Sequence, residues 1–431
     1  MRAVLTNLGS LGDIQPFVAL AQELRRHDHS PVLALAPAYR AYAGQLGFEF
    51  VPIGLDLDYA QLQRKDTEDA LRGADLFQNF SASLKILSNM LPQMFSELRE
   101  ACRNADVLIS GNLQPASRML HELSGIPFVS LHTNHFAGMQ PPAYRLAAGA
   151  AINPFRGQHG LPALEDPVHM DANSPQLTLY AISRYLRTPD PKWPSHYHVT
   201  GFFFVEEKEW QPPLELIQFL ESGDPPVIIG FSSIVHSDPQ AITDLLLEAI
   251  RLAGCRAVIQ HGWSGLAKDR DLPPSVLSIG FAQHTWLLPH AACVVHAGGS
   301  GTTAATLRSG VPGIFVPHIG DQPMWAALVR GLGCARDTIP YSELTSERLA
   351  AAISRALSDP ELSRQAAEMA AKIRAEQGLS RARLLIEQLH GDQNSQLVPD
   401  DAGAHARKQL QQRLRFRKSR LAANADLTAQ S

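Results

Sequence analysis

FAQHTWLLPHAACVVHAGGSGTTAATLRSGVPGIFVPHIGDQPMW, residues Phe281 to Trp325, decides the fold. Two apolar runs within it, Ala292–His296 and Gly313–Val316, have strand character. Between them lie a Gly/Ser/Thr loop, Gly298–Thr303, and a short helical pattern, Ala304–Ser309, closed by Gly310. A strand feeding a loop of small residues that opens a helix is suited to phosphate. Its free N–H groups and the positive end of the helix dipole both face an anion. His296 at the strand end adds a hydrogen-bonding or cationic group, and Asp321-Gln322 after the next strand adds a pair able to read hydroxyls. A diphosphate joined to a polyol, as in a nucleotide sugar, fits that combination.

Outward from this stretch, strand and helix signals alternate. Ala3–Thr6, Pro31–Ala36, Phe48–Ile53, Val107–Ser110 and Pro127–Leu131 read as strands in the first half. Val227–Phe231, Ala257–Gln260, Val276–Ile279, Cys293–His296 and Gly313–Val316 repeat the pattern in the second. Continuous apolar strands separated by helices indicate a parallel sheet covered on both faces. The expected fold is therefore α/β, with two doubly wound Rossmann-like domains facing a cleft. Their expected limits are 1–200 and 227–375. A linker at 201–226 carries four prolines and one helix, and a C-terminal helix is expected at 376–392. Residues 342–390 read as helical, with caps at Ser342 and Thr345. Pro16 is expected at the first position of a helix ending at Arg26.

The 431 residues, 45% apolar and 19% charged, describe a globular chain of two ordinary domains. A net charge of −4 gives no reason to expect nucleic acid. Cys102, Cys255, Cys293 and Cys334 are far apart and form no C-x-x-C pair, so they read as free thiols in a reducing compartment. Without a leader-like N-terminus or an apolar run near 20 residues, cytoplasmic residence is the expectation. Residues 393–431 form a basic tail, expected to be disordered. The sharper alternative is peripheral contact with an anionic inner-membrane face through Leu410, Leu414, Phe416 and Leu421.

The loop NLGSLGDIQP, Asn7–Pro16, joins the first strand to the first helix and fits neither G-x-G-x-x-G nor the P-loop pattern. Asp13 lies just before the expected helix start. It is either a general base aimed into the cleft or an Asx-type turn residue. Gly298, Ser300, Gly301, Thr302 and Thr303 can supply N–H donors to a departing diphosphate, with His296 donating to a phosphate oxygen and Ser233 adding a hydroxyl. Neither a D-x-D pair nor a His/Asp cluster with metal-ligand spacing is present in the sequence, so no metal and no other cofactor is expected. The bland readings are a tight turn at Gly298–Gly301, a satisfied strand-end histidine at His296 and a helix cap at Asp321. Trp286 is expected to be a packing aromatic.

These pieces resemble the UDP-glycosyltransferase superfamily (glycosyltransferase family 1, GT-B fold), in its sterol-glucosyltransferase-like bacterial and fungal branch. The matching segments are GSLGDIQPFVALAQEL, GFSSIVHSDPQAITDLLLEAI, RAVIQHGWSGL, the Gln283–Trp325 stretch and TIPYSELTSERLAAAI, together covering roughly residues 1–390. The resemblance implies inverting, metal-independent transfer of a hexose, glucose from UDP-glucose, to a hydroxyl of a lipophilic acceptor. It places the base at Phe281, Ala282 and His284, the diphosphate at His296 and Ser300–Thr302, and the sugar at Asp321 and Gln322, with Asp13 as base. Ser110-Gly111-Asn112 stands where other relatives carry a second aspartate. Ala304 replaces a glutamate that grips the ribose, and Ser232 replaces a glycine. A short Asn134–Pro162 segment implies an open acceptor pocket. The alternatives are a dTDP-deoxysugar transferase of natural-product biosynthesis and a non-catalytic nucleotide- or lipid-binding relative.

Overall fold

The structure, a computed structural model, describes residues 1–56, 76–111, 114–133, 142–168, 170–206 and 210–396. One compact unit, Met1–Leu385, carries two parallel sheets; the remainder is Ile386–Ser431. The basic stretch 401–420, with its expected membrane contact, lies outside the described residues, as does Asn112.

The first sheet is built from β1 (Arg2–Thr6), β2 (Ser30–Leu35), β3 (Glu49–Pro52), β4 (Val107–Ser110), β5 (Phe128–His132), β6 (Leu177–Tyr180) and β7 (Tyr197–Val199). Its order is β3-β2-β1-β4-β5-β6-β7, with every pairing parallel. Helices α1 (Leu11–Arg26), α2 (Arg40–Gln45), α3 (Leu76–Ala101), α4 (Pro115–Ser124) and α5 (Pro142–Gln158) accompany it. The second sheet contains β8 (Val227–Gly230), β9 (Ala257–Gln260), β10 (Val276–Ile279), β11 (Cys293–His296), β12 (Gly313–Phe315) and β13 (Ala335–Thr338). Its order is β10-β9-β8-β11-β12-β13. The remaining helices are α6 (Leu214–Glu221), α7 (Pro239–Ala253), α8 (His284–Leu287), α9 (Ser300–Ser309), α10 (Gln322–Gly331), α11 (Ser346–Ser358), α12 (Pro360–Ala375) and α13 (Gly378–Gln396).

Local chemistry sets these limits. Strands β4, β5, β8 and β11 are buried at every residue, as doubly covered parallel strands must be. At the start of α7 the Asp238 carboxylate accepts the Ala241 N–H, Pro239 takes the first position, and Gly254 at φ 63° ends the helix. Thr345 caps α11 by accepting the Arg348 N–H. Ser342 instead sits inside a short 3₁₀ turn, Tyr341–Glu343, and caps nothing.

Three further expectations need correcting. Helix α1 starts at Leu11, so Pro16 is its sixth residue and Asp13 its third. Ser10 and Asp13 together start the helix five residues before the proline. Helix α9 starts at Ser300, which shortens the expected Gly298–Thr303 loop to its glycines. Strands β6, β7 and β13 went unread: LTLY carries an interior threonine, and YHV and ARDT lie at sheet edges with polar side chains.

In each sheet the strand order reverses at the centre. Strand β1 lies between β2 and β4, and β8 between β9 and β11. Loops leaving the carboxyl ends of strands at such a reversal diverge and open a crevice. The connections after β1, β4, β8 and β11 carry Asp13, in the first turn of α1, and Gly111, Ser233 and Gly298.

Candidate active site

The Asp13 loop is held from several sides. Gly9 has φ 124°, and a β-carbon there would lie 2.4 Å from Asp13 Oδ2. Only glycine fits. Tyr39 O–H donates to the Gly9 carbonyl at 2.8 Å. Asp13 Oδ2 accepts the Ser10 N–H at 2.8 Å and the Ser10 O–H at 3.0 Å. That leaves Oδ1 for another partner. Asn7 Nδ2 donates to the Asp13 carbonyl at 3.0 Å, and Gly111 makes room for Asn7, since a β-carbon there would sit 1.9 Å from Asn7 Oδ1. Burial pushes the Asp13 carboxyl above its ordinary value; Ser10 opposes this, and the charge of Asp321 adds to it. Asp321 thus lies within electrostatic reach of Asp13, and helices α1 and α9 approach one another.

The loop after β11 shows how a short glycine turn is enforced. His296 is 1% exposed, and its Nδ1 accepts the Gly298 N–H at 3.2 Å. The ring proton therefore sits on Nε2, which is buried beside Gly313 without a partner among the described residues. Burial lowers the His296 pKa to about 3, and His284 adds to the effect. In this arrangement the neutral ring shapes the loop; donation to a phosphate oxygen, as expected from the sequence, requires it to turn. Gly298 has φ 96°, and a β-carbon on it would meet Phe315 Cδ1 at 3.0 Å and the Gln322 carbonyl oxygen at 3.1 Å. Gly299 is the N-cap of α9, and no side chain caps the helix. The first-turn amides of Ser300, Gly301 and Thr302 are left to an incoming anion. Around Gly301 a β-carbon would meet nothing within 4 Å.

Ser233 lies in the turn after β8, beside Ser232, whose φ of 52° explains why glycine suits that position. Ser232 Oγ lies 3.3 Å from Thr302 Oγ1, tying this turn to the start of α9. Nothing in the sequence pattern flagged that contact.

The loop after β12 carries Asp321 and Gln322. Asp321 Oδ2 accepts the Trp325 indole N–H at 2.9 Å, and burial raises its pKa. It is the N-cap of α10 by position, but its side chain makes no capping bond. Gln322 Oε1 accepts the backbone N–H groups of His318 at 2.7 Å and Ile319 at 3.1 Å. Its NH₂ group alone is left to face a ligand.

Phe281 is exposed and lines a cavity of about 730 Å³ with Leu11, Tyr42, Leu46 and Trp210. Leu11 comes from the same helix as Asp13, a partner the sequence did not suggest. Ala282 is buried. His284 Nε2 lies 3.2 Å from Gln260 Oε1, and burial lowers its pKa to about 4. Trp286 packs edge-on against Trp210, with centroids 5.5 Å apart, as a packing aromatic does. Ala304 is buried on α9. Of the Asn134–Pro162 segment, α5 occupies most of the described part and packs among the apolar side chains of α3. No helix among the described residues is long and apolar enough to cross a membrane.

Residues 3–137 match the glycosyltransferase family 28 N-terminal domain, and residues 265–378 match the erythromycin biosynthesis protein CIII-like C-terminal domain. The O-mycaminosyltylonolide 6-deoxyallosyltransferase of Streptomyces fradiae is 30% identical over 417 residues, covering 90% of this chain and 97% of that enzyme. The sterol 3-beta-glucosyltransferase of Neosartorya fischeri is 28% identical over 89% of this chain, which spans only 29% of that longer enzyme. Among solved structures, the kitacinnamycin glycosyltransferase superposes with a TM-score of 0.71 at 22% identity, over 90% of this chain and 98% of its own. Glycosyltransferase VinC, solved in complex with DTDP, gives 0.69 at 20% identity, over 91% and 100%. Two parallel α/β sheets and 30% identity along nearly the whole of a curated glycosyltransferase lead to one assignment: the chain belongs to the GT-B glycosyltransferases.

Proposed function

We propose that the enzyme moves a hexose from a nucleoside diphosphate, UDP-glucose in the first instance, to a hydroxyl of a lipophilic small molecule with inversion at the anomeric carbon. The observation that carries this reading is the approach of α1, with Asp13 in its first turn, to α9, whose start no side chain caps. Asp13 Oδ1 takes the proton of the acceptor hydroxyl as that oxygen attacks the anomeric carbon. The bond from that carbon to the diphosphate breaks as the new one forms. Burial and Asp321 hold the carboxylate more basic than usual, which favours proton transfer near neutrality. The departing charge falls on the first-turn amides of α9, fixed before the reaction begins. This charge stabilisation comes from backbone donors and calls for no metal. Ser233 and Thr302 add hydroxyls to the same oxygens. His296 contributes by setting the Gly298 turn.

Asp321 Oδ1 and the Gln322 NH₂ group offer an acceptor and a donor to sugar hydroxyls. The nucleoside base rests against Phe281 in its cavity, with the backbone of Ala282 next to it and His284 held behind by Gln260. The acceptor approaches from the side of α3 and α5, where the exposed apolar side chains of Ile86 and Leu146 suit a sterol, glycolipid or secondary metabolite.

A second reading rests on a specific observation. The side chain of Ala304 has no group for a ribose hydroxyl, and the Streptomyces fradiae relative is named for a 6-deoxy sugar. A 6-deoxyhexose keeps the hydroxyls at carbons 2, 3 and 4, so Asp321 and Gln322 would remain paired with such a sugar. Calorimetry with UDP and dTDP, followed by mass-spectrometric transfer assays with UDP-glucose and dTDP-activated 6-deoxyhexose against a pooled lipid and polyketide extract, separates the two readings. Failure of both nucleotides to bind removes them both; binding without transfer points to a non-catalytic relative.

A further inference from the structure

Behind the sugar-reading loop lies a buried chain of hydrogen bonds that, with both rings neutral, has one consistent assignment of protons. His318 Nδ1 is 2.7 Å from the Val316 carbonyl oxygen, so Nδ1 carries the hydrogen and Nε2 accepts. His236 Nε2, at 3.1 Å from His318 Nε2, must then donate. His236 Nδ1 accepts in turn from the Ser264 hydroxyl at 2.8 Å, and the Ser264 oxygen receives the His236 backbone N–H at 2.7 Å. Ser264 Oγ is also 3.1 Å from the Ile234 carbonyl, a longer contact than the one its hydrogen makes to His236. The His318 ring stacks on Tyr341 at 4.2 Å and packs against Phe231 at 5.0 Å. His236 is 2% exposed.

This chain ends on the turn that orients Gln322, because the N–H groups of His318 and Ile319 both point at Gln322 Oε1. We propose that His236 is a positioning residue for the donor sugar, acting through His318 to hold the Val316–Gln322 turn so that the Gln322 NH₂ group faces the ligand. The proposal rests on the reading of Gln322 as a sugar-binding residue. A proton added to His318 would reverse the His236 tautomer and turn the Ser264 hydroxyl to the Ile234 carbonyl; burial, which lowers the pKa of both rings, keeps them neutral. The titratable groups that face the pair are each other and Tyr341, whose phenol is raised by burial and by Asp238.

The test uses the full chain, with UDP and UDP-glucose as probes in calorimetry at pH 7. His236→Phe keeps a ring in place and removes the donor. It should weaken UDP-glucose about fivefold, the worth of one neutral hydrogen bond, and change UDP less than twofold. His236→Gln carries an N–H donor where Nε2 stands and should return UDP-glucose affinity to within twofold of the parent. Ser264→Ala is a milder cut and guards against a folding failure in the phenylalanine variant; it should weaken UDP-glucose two- to threefold and spare UDP. Unchanged UDP-glucose affinity in His236→Phe, or equal loss of both probes in every variant, overturns the proposal. A parent chain that binds neither UDP nor dTDP overturns the functional reading, and this inference falls with it.

Discussion

Replacing Gly298 by alanine tests the idea that one turn serves both ends of the donor. At φ 96° an alanine lies outside the left-handed basin, a strain of about 1–3 kcal/mol. Its methyl would press on Phe315 Cδ1 at 3.0 Å and the Gln322 carbonyl oxygen at 3.1 Å, adding roughly 1 kcal/mol as the neighbours give way. The total of ~2–4 kcal/mol should lower the thermal midpoint by several degrees, on the order of 2 °C per kcal/mol for a chain of this size. Because Gln322 moves as well, UDP-glucose affinity should fall about tenfold in calorimetry. Gly301→Ala is the control. Its methyl meets nothing within 4 Å, and alanine is the better helix former, so stability should hold or rise by ~0.5–1 kcal/mol. UDP should nevertheless bind less well, because the methyl crowds the space proposed for the diphosphate. If Gly298→Ala melts and binds like the parent, or Gly301→Ala leaves UDP binding intact, the phosphate does not sit at the start of α9.

Asp13→Asn keeps an oxygen for Ser10, so the loop should survive while transfer falls by ~10²–10⁴ and UDP affinity stays within a few-fold; retained turnover would move the base elsewhere. Ser232→Gly should relieve a left-handed residue and raise stability by ~0.5–1 kcal/mol, despite loss of the Thr302 contact, as read by denaturant titration. Burial lowers the His236 pKa from 6.5 to about 4, so below pH 6.5 the unfolded chain takes a proton that the folded chain refuses. That costs stability at up to ~1.4 kcal/mol per pH unit between 6.5 and about 4, and nothing above. His236→Gln should flatten that part of the stability–pH curve by one proton's slope; an unchanged slope would show that the buried ring already titrates in the folded chain.

The sequence exposed most of the architecture because strands covered on both faces read as short, mainly apolar runs. Val107–Ser110, Ala257–Gln260, Val276–Ile279 and Cys293–His296 could be read to the residue on that ground. The same rule hid β7 and β13, whose edge positions tolerate Tyr, His, Arg and Asp. Helix starts were misplaced where glycine and serine begin them, since those residues read as loop until their capping partners are known. For the candidate site, residue type and position drew attention to Asp13, His296, Asp321 and Gln322, and the structure finds His296 Nδ1 turned to the Gly298 N–H. Partnership was not visible: His236 and His318 are 82 residues apart, and Ser232 and Thr302 are 70 apart. Chemistry that depends on one contact between distant segments leaves no local pattern.

Helix α1 bears Asp13 near one end and Gln22 near the other. Gln22 exchanges two hydrogen bonds with the backbone of Glu206, on the strand-to-strand passage between the sheets, and Arg26 pairs with the Glu206 carboxylate at 2.8 Å. Glu23, one residue on, pairs with Arg383 at the start of α13 at 3.3 Å. A 16-residue helix is a stiff rod of about 24 Å. One rigid helix thus ties the Ser10–Asp13 pair at its start to Glu206 and Arg383 at its end, so a change in either anchor is felt at the carboxylate.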